Sequence, residues 1–238
     1  MQNKDAKLIK CETHMHIKNG SPCAKVSAQD AARMYREEGY GAVVLTNHYM
    51  RYLSENYYPL NPDKSAAEYF IELYDEVKPH FERQQIRTFF AMELTPHRPE
   101  LEGGVDLLLY GITPDFLRQY PDLYDYQDNK LYELLKENDI LCYQAHPFRS
   151  YCRLHDIKYL DGIEVFNGHP WHDAQNHRAE QLAKQHNLLQ ISGSDFHDAM
   201  EAGAPRTITG GIWLDPGITT EQQLARYLAT LPPLIKNP

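Results

Sequence analysis

Thr13-His14-Met15-His16 follows the first apolar run of the chain, Leu8 to Cys11, which reads as a short strand. Residues two apart on a strand point to one face. The imidazoles of His14 and His16 therefore project together, roughly 7 Å apart at about 3.3 Å per residue, where strand gives way to loop. Two imidazoles held in this way are half of a metal site. A pair of hydrogen-bonded histidines would read the same, so the remaining ligands must come from elsewhere in the chain.

Outward from that motif, apolar strand-like runs alternate with helical ones. Val26 to Gly39 has helical spacing, with Ser27 as a plausible N-cap. Gly41 to Thr46 is a short buried strand that ends in Asn47-His48. Arg51 to Pro62, rich in tyrosine and asparagine, reads as a loop, and Ser65 to Arg83 as a long amphipathic helix. Ile86 to Leu94 is a strand closing on Glu93, and Val105 to Gly111 is a strand containing Asp106. Leu131 to Asn138 is a helix, and Ile140 to Ala145 a strand ending at His146. Gly162 to Phe166 is a strand carrying Glu164, His172 to His186 a helix, and Leu188 to Ser192 a strand leading into Asp195 and His197. Gly211 to Leu214 and Thr220 to Thr230 close the chain as strand and helix. Repeated strand–helix alternation predicts a parallel α/β sheet.

The polar residues choose between an open sheet and a closed one. His14 and His16, His48, Glu93, His146, Asp195 and His197 all fall at strand ends, while Asp106 and Glu164 lie on strands. In a parallel barrel those ends converge on one face, whereas an open sheet gathers only neighbours. Five histidines and at least two carboxylates exceed the needs of one four-coordinate zinc and suit two or three metals sharing a bridging carboxylate. Nitrogen and oxygen donors point to Zn, Mn or Fe.

Thr-His-Met-His, Thr-Asn-His-Tyr, Ala-Met-Glu-Leu, Gln-Ala-His-Pro-Phe-Arg, Gly-Ile-Glu-Val-Phe-Asn-Gly and Gly-Ser-Asp-Phe-His follow one another here in the order seen in PHP-domain proteins (polymerase and histidinol phosphatase). The chain resembles that family from about Leu8 to Thr207. The resemblance implies a distorted (β/α)7 TIM-like barrel, up to three metals and phosphoester hydrolysis. Carried over by position, it gives His14, His16, Glu93 and Asp195 to one metal. Glu93 bridges to a second, also bound by His146, and His48 and His197 contribute to a third. Two departures stand out. The stretch Ile17 to Cys23 shows no obvious ligand where many members have a further His or Asp. Asp106 stands where many have a histidine.

Length and composition bound the rest. The 238 residues, 42% hydrophobic and 24% charged, suffice for one large core, so a single domain is expected. No apolar stretch reaches a membrane-spanning length, no secretion signal is visible at the start, and the four cysteines form no CxxC pair, which together suggest a reducing, cytoplasmic setting. A net charge of −9 argues against a stable nucleic-acid partner. The expected activity is phosphomonoester hydrolysis of a small metabolite, such as histidinol phosphate or a nucleotide, by a metal-activated hydroxide. Glu93, Asp195 and His197 are the catalytic candidates, and Arg149 and Arg206 the phosphate-binding ones. The alternatives are a short-oligonucleotide exonuclease, an amidohydrolase-type metal hydrolase, and a metal- or phosphate-binding module without turnover. The sequence does not set the oligomeric state.

Overall fold

A computed structural model of the chain describes residues 7–58, 64–201, 204–205 and 207–236. Its first strand, β1 (Ile9–Met15), runs past the apolar stretch and takes in Glu12, Thr13 and His14. Helix α1 (Ala28–Glu37) begins where the Ser27 hydroxyl accepts from the Asp30 amide. Next come β2 (Tyr40–Leu45), β3 (His48–Tyr49), α2 (Arg51–Asn56), α3 (Ala66–Arg83), β4 (Arg87–Phe90), β5 (Met92–Leu94) and β6 (Leu107–Tyr110). Helices α4 (Pro114–Gln119) and α5 (Asp128–Glu137) precede β7 (Leu141–Gln144) and β8 (Gly162–Asn167). The chain then passes through α6 (Asn176–His186), β9 (Leu189–Gly193), the small pair β10 (Met200–Glu201) and β11 (Ala204–Pro205), β12 (Ile212–Leu214) and α7 (Glu221–Leu228). Among the described residues no helix is long and apolar enough to cross a membrane.

Two main sheets are ordered β12-β1-β2-β4 and β3-β5-β6-β7-β8-β9. They share strand lines: β2 continues into β3 across Thr46-Asn47, and β4 into β5 across Ala91. The last line returns to the first through a parallel bridge between Met15 and Phe196, where the His16 amide donates to the Phe196 carbonyl at 2.8 Å. Beside it the Thr13 hydroxyl donates to the Ser192 carbonyl at 2.5 Å. Among the described residues seven strand lines from β1 to β9 thus follow one another around an irregular ring, with β12 paired to β1 as an eighth.

The α/β class is the expected one, but the regular parallel alternation is not what forms. β6 runs antiparallel to both β5 and β7, and β12 antiparallel to β1. A parallel neighbour needs a crossover, usually a helix. The β5–β6 link carries no helix, so the chain returns directly and reverses direction. Arg51 to Pro62 also departs from the expected loop: its first six residues form α2, which buries only Leu53 and has no side-chain cap, so it leaves no periodic trace. Residues 59–63 lie outside the described residues.

Inward-facing side chains of the ring, Cys11, Val44, Phe89, Leu108, Tyr143 and Ile191 among them, form one fully buried apolar cluster. At roughly 25 cal/mol per Å² of apolar area removed from water, such filling is what holds the ring shut. Tyr110 marks its polar boundary, donating from its hydroxyl to the Thr13 carbonyl at 2.9 Å.

Candidate metal centre

Strand β1 carries His14 to the ring's polar end and His16 just beyond, their ring centroids 5.3 Å apart and their Nε2 atoms 3.2 Å apart. Glu93, on β5, stands among four imidazoles. Its Oε1 lies 3.1 Å from His146 Nε2 and 3.4 Å from His14 Nε2. Its Oε2 lies 3.2 Å from His16 Nε2 and 2.8 Å from His48 Nδ1. Asp195 Oδ1 is 3.4 Å from His14 Nε2, 3.5 Å from His16 Nε2 and 3.2 Å from His197 Nδ1. Its Oδ2 meets the guanidinium of Arg149.

These contacts are short, yet Glu93 Oε2, Asp195 Oδ1 and His48 Nδ1 have no aligned hydrogen bond although all three atoms are buried. Buried polar atoms are ordinarily paired. Donor atoms this close but not aimed at one another converge on shared points between them, the arrangement a cation satisfies. Three overlapping triads meet that description: His14, His16 and Glu93; His14, His146 and Asp195; and His16, His48 and His197. The residues therefore fit divalent-metal binding, with Glu93 between the triads.

Other groups fix the rings from behind. Glu164 Oε1 is 2.9 Å from His14 Nδ1, while its Oε2 accepts from the His146 amide at 3.0 Å and from Asn167 Nδ2 at 2.9 Å. Glu12 Oε1 accepts three backbone amides, Thr13 and His14 at 2.8 Å each and Ser194 at 3.0 Å, and Tyr35 donates to Oε2 at 3.0 Å. Ser21 Oγ sits 2.9 Å from His16 Nδ1 and accepts from the His48 amide at 3.0 Å. Such contacts set which nitrogen each ring offers forward. At Gly193 a Cβ would come within 2.9 Å of Glu164 Oε1 and nearer still to His14 Cβ, so only glycine lets β9 approach. His146 (φ 25°) and Asp195 (φ 50°) both hold left-handed backbone, a strained choice for non-glycine residues that the surrounding bonds enforce.

Charge in the cluster is shared unevenly. Burial alone would depress His14, but the carboxylates of Glu164, Asp195 and Glu93 outweigh it and hold the ring well above its usual range. Burial, together with His197 and His48, lowers His16 to about 4. Burial would raise Glu93 and Asp195. Instead, His48 and His14 hold Glu93 well below the carboxylate range, and His14 and Arg149 do the same for Asp195.

The seven strand-end candidates His14, His16, His48, Glu93, His146, Asp195 and His197 are thus brought together. Asp106 sits at the edge, grouped with His146 and Cys152, and accepts from the Thr95 hydroxyl at 2.6 Å. Arg149 is only 4% exposed. It donates to Asn167 Oδ1 at 2.6 Å and Tyr151 Oη at 3.0 Å and lines a cavity of about 380 Å³ over the cluster. Arg206 lies outside the described residues. Sequence reasoning missed the supporting roles of Glu12, Ser21 and Glu164 and the two thiols at the border. Cys23 lines the cavity, and Cys152 Sγ lies 3.5 Å from His146 Nδ1. The available signals were Glu164 as an acid on a strand and Glu12 as an acid two residues before His14.

No protein-family model matches the chain, and no curated protein matches it. Solved structures do. A two-domain protein from Bacteroides vulgatus containing a predicted PHP-like metal-dependent phosphoesterase aligns with a TM-score of 0.61 at 19% identity, over 95% of this chain and 64% of that one. The chain therefore spans less than two thirds of that protein. A putative metal-dependent phosphoesterase from Bifidobacterium adolescentis aligns at 0.52 and 15% identity, covering 94% and 97%. An amidohydrolase from Chromobacterium violaceum, with sulfate bound and no metal, aligns at 0.52 and 13%, covering 92% and 96%.

Proposed function

We propose that this chain, with a fold like those of PHP-like metal-dependent phosphoesterases, is itself a metal-dependent hydrolase that cleaves phosphomonoesters of small metabolites. One observation carries the reading. Glu93 is buried among four imidazoles with one oxygen unpaired, facing two sets of histidines at once. His14, His16, His146, Glu93 and Asp195 would hold the inner ions, and His48 and His197 an outer one. Divalent ions held there would supply Lewis acidity and lower the pKa of bound water toward neutrality.

The chain's own residues do the remaining work. Arg149 lines the cavity over the cluster, and its planar fork matches the oxygens of a phosphate bound there. Asp195, Asn167 and Tyr151 hold that guanidinium in place, so little side-chain freedom is lost when substrate arrives. Glu164 and Ser21 keep the His14 and His16 rings turned with Nε2 toward Glu93 and Asp195. The cavity volume falls within the usual range for small-molecule sites, and the net charge of −9 weighs against a long anionic polymer.

The test is metal analysis with paired assays on aryl phosphate and aryl phosphodiester, with an Asp195→Ala, His197→Ala control. Two or more ions per chain, and monoester turnover that the control loses, support the reading. Metal-replete protein that cleaves neither ester overturns it. The amidohydrolase likeness supplies a second reading, and hydrolysis of a cyclic amide with no action on either ester would favour it.

A further inference from the structure

The turn after β1 is tied to both loops that bring the outer histidines. Ser21 Oγ accepts from the His48 amide at 3.0 Å, and the Lys25 amide donates to the His197 carbonyl at 2.8 Å. Cys23 lies midway, two residues from each anchor. Its side chain reaches the cavity mouth beside the imidazoles of His48 and His197. The thiol is free, and the residue is exposed. Behind these rings Glu93, with its side chain 1% exposed, keeps its unpaired Oε2 2.8 Å from His48 Nδ1. A solvent-facing thiol and two imidazoles thus line one wall of the cavity, with an unpaired buried carboxylate oxygen behind them.

We propose that Cys23 is a metal ligand, completing with His48 and His197 an outer metal position that has one sulfur donor. The inference rests on the metal-dependent reading above and deepens it. On binding, the thiol gives its proton to solvent and coordinates as thiolate, the form in which cysteine acts as a ligand. A sulfur donor tilts that position toward zinc and away from magnesium or manganese, which prefer oxygen. The inner positions, built from imidazole and carboxylate, carry no such bias. Cys152 differs in placement. It sits at Nδ1 of His146, whose Nε2 faces Glu93, so it supports that ring from the side away from Glu93.

Cobalt(II) loading of the metal-free protein reads this directly, because thiolate bound to cobalt gives a near-ultraviolet charge-transfer band that nitrogen and oxygen donors do not. The loaded protein is expected to show the band. Cys23→Ser should lose it together with one bound ion per chain, and Cys152→Ser should keep both. Cys23→His should recover the ion without the band, which separates lost coordination from a damaged fold. Cobalt bound without the band, or a band that survives Cys23→Ser, overturns the sulfur ligand and leaves the metal reading intact. A chain that binds no cobalt overturns both.

Discussion

Glu164 and Glu93 lie on opposite sides of the His14 ring, both buried, and differ in how their oxygens are used. Each oxygen of Glu164 is paired, one with the His14 ring and the other with the His146 amide and Asn167. Glu93 keeps one oxygen unpaired amid imidazole nitrogens. Glu12 belongs with Glu164: its oxygens are paired with three backbone amides, the Tyr35 hydroxyl and the Ser194 side chain. A belt behind the histidines is thus fully satisfied, and the face in front is left short of partners. Residue type alone does not separate a ligand from a support, since the same carboxylate serves as both. What separates them is whether hydrogen bonding is complete without a further group.

The largest effect expected from this contrast is at Glu93. Glu93→Gln keeps the shape and removes the charge, so bound metal should fall and turnover should drop below detection in the paired ester assay. Retained metal and activity would place Glu93 in the belt instead. Glu12→Leu attacks the belt at its most connected point and strands three buried amides. At about 1–3 kcal/mol for each unsatisfied group, a loss of about 3 kcal/mol or more in unfolding free energy is expected from denaturant melts of the metal-free protein.

Glu164→Gln leaves the fold but loosens the orientation of His14. Metal affinity or activity should fall by about 10- to 100-fold, the usual cost of removing a group that orients a ligand. A loss as complete as that of Glu93→Gln would erase the distinction between the two glutamates. Arg149→Lys keeps a positive charge near Asp195 and removes the fork. KM for the monoester should rise by about tenfold with metal content unchanged, in keeping with one weakened charge-assisted hydrogen bond.

The smallest effect is on pH dependence. In the metal-free protein, burial alone would lower His197, yet the Asp195 carboxylate overcomes this and pushes it up to about 9. Against about 6.5 in the unfolded chain, the raised value stabilises the fold fully below pH 6.5, and that stability is lost as pH rises through 9. Metal binding needs the neutral imidazole, so the loaded protein runs the other way. The gap in melting temperature between loaded and metal-free protein should widen from pH 6.5 to 9.

What the sequence shows and what it hides divides along the same line. His14, His16, Glu93, His146, Asp195 and His197 could be picked out because each lies at the end of an apolar run, and position along the chain is visible. Glu164 was visible as an acid on a strand, but its role depends on which side of a ring it reaches, and no spacing encodes that. Ser21 and Cys23 sit in a stretch without periodicity, and only the folded turn brings them to His16, His48 and His197. The reversal of β6 was hidden because an apolar run reads alike in both directions. The missing helix between Leu94 and Leu107 was the clue to it. α2 buries a single residue and left nothing to read.

The closure between β1 and β9 has a consequence for how the molecule comes into being. The Thr13–Ser192 and Glu12–Ser194 hydrogen bonds join residues 179 and 182 apart in sequence. Contacts so distant form late, because the entropy of closing the intervening chain is lost before any contact repays it. During synthesis, His14 and His16 leave the ribosome long before Asp195 and His197 do. Until then, the emerging chain can show a metal ion only a scattered fraction of its ligands. Tight metal capture and completion of the ring are therefore expected to coincide, so that an ion held firmly reports a chain that has finished folding.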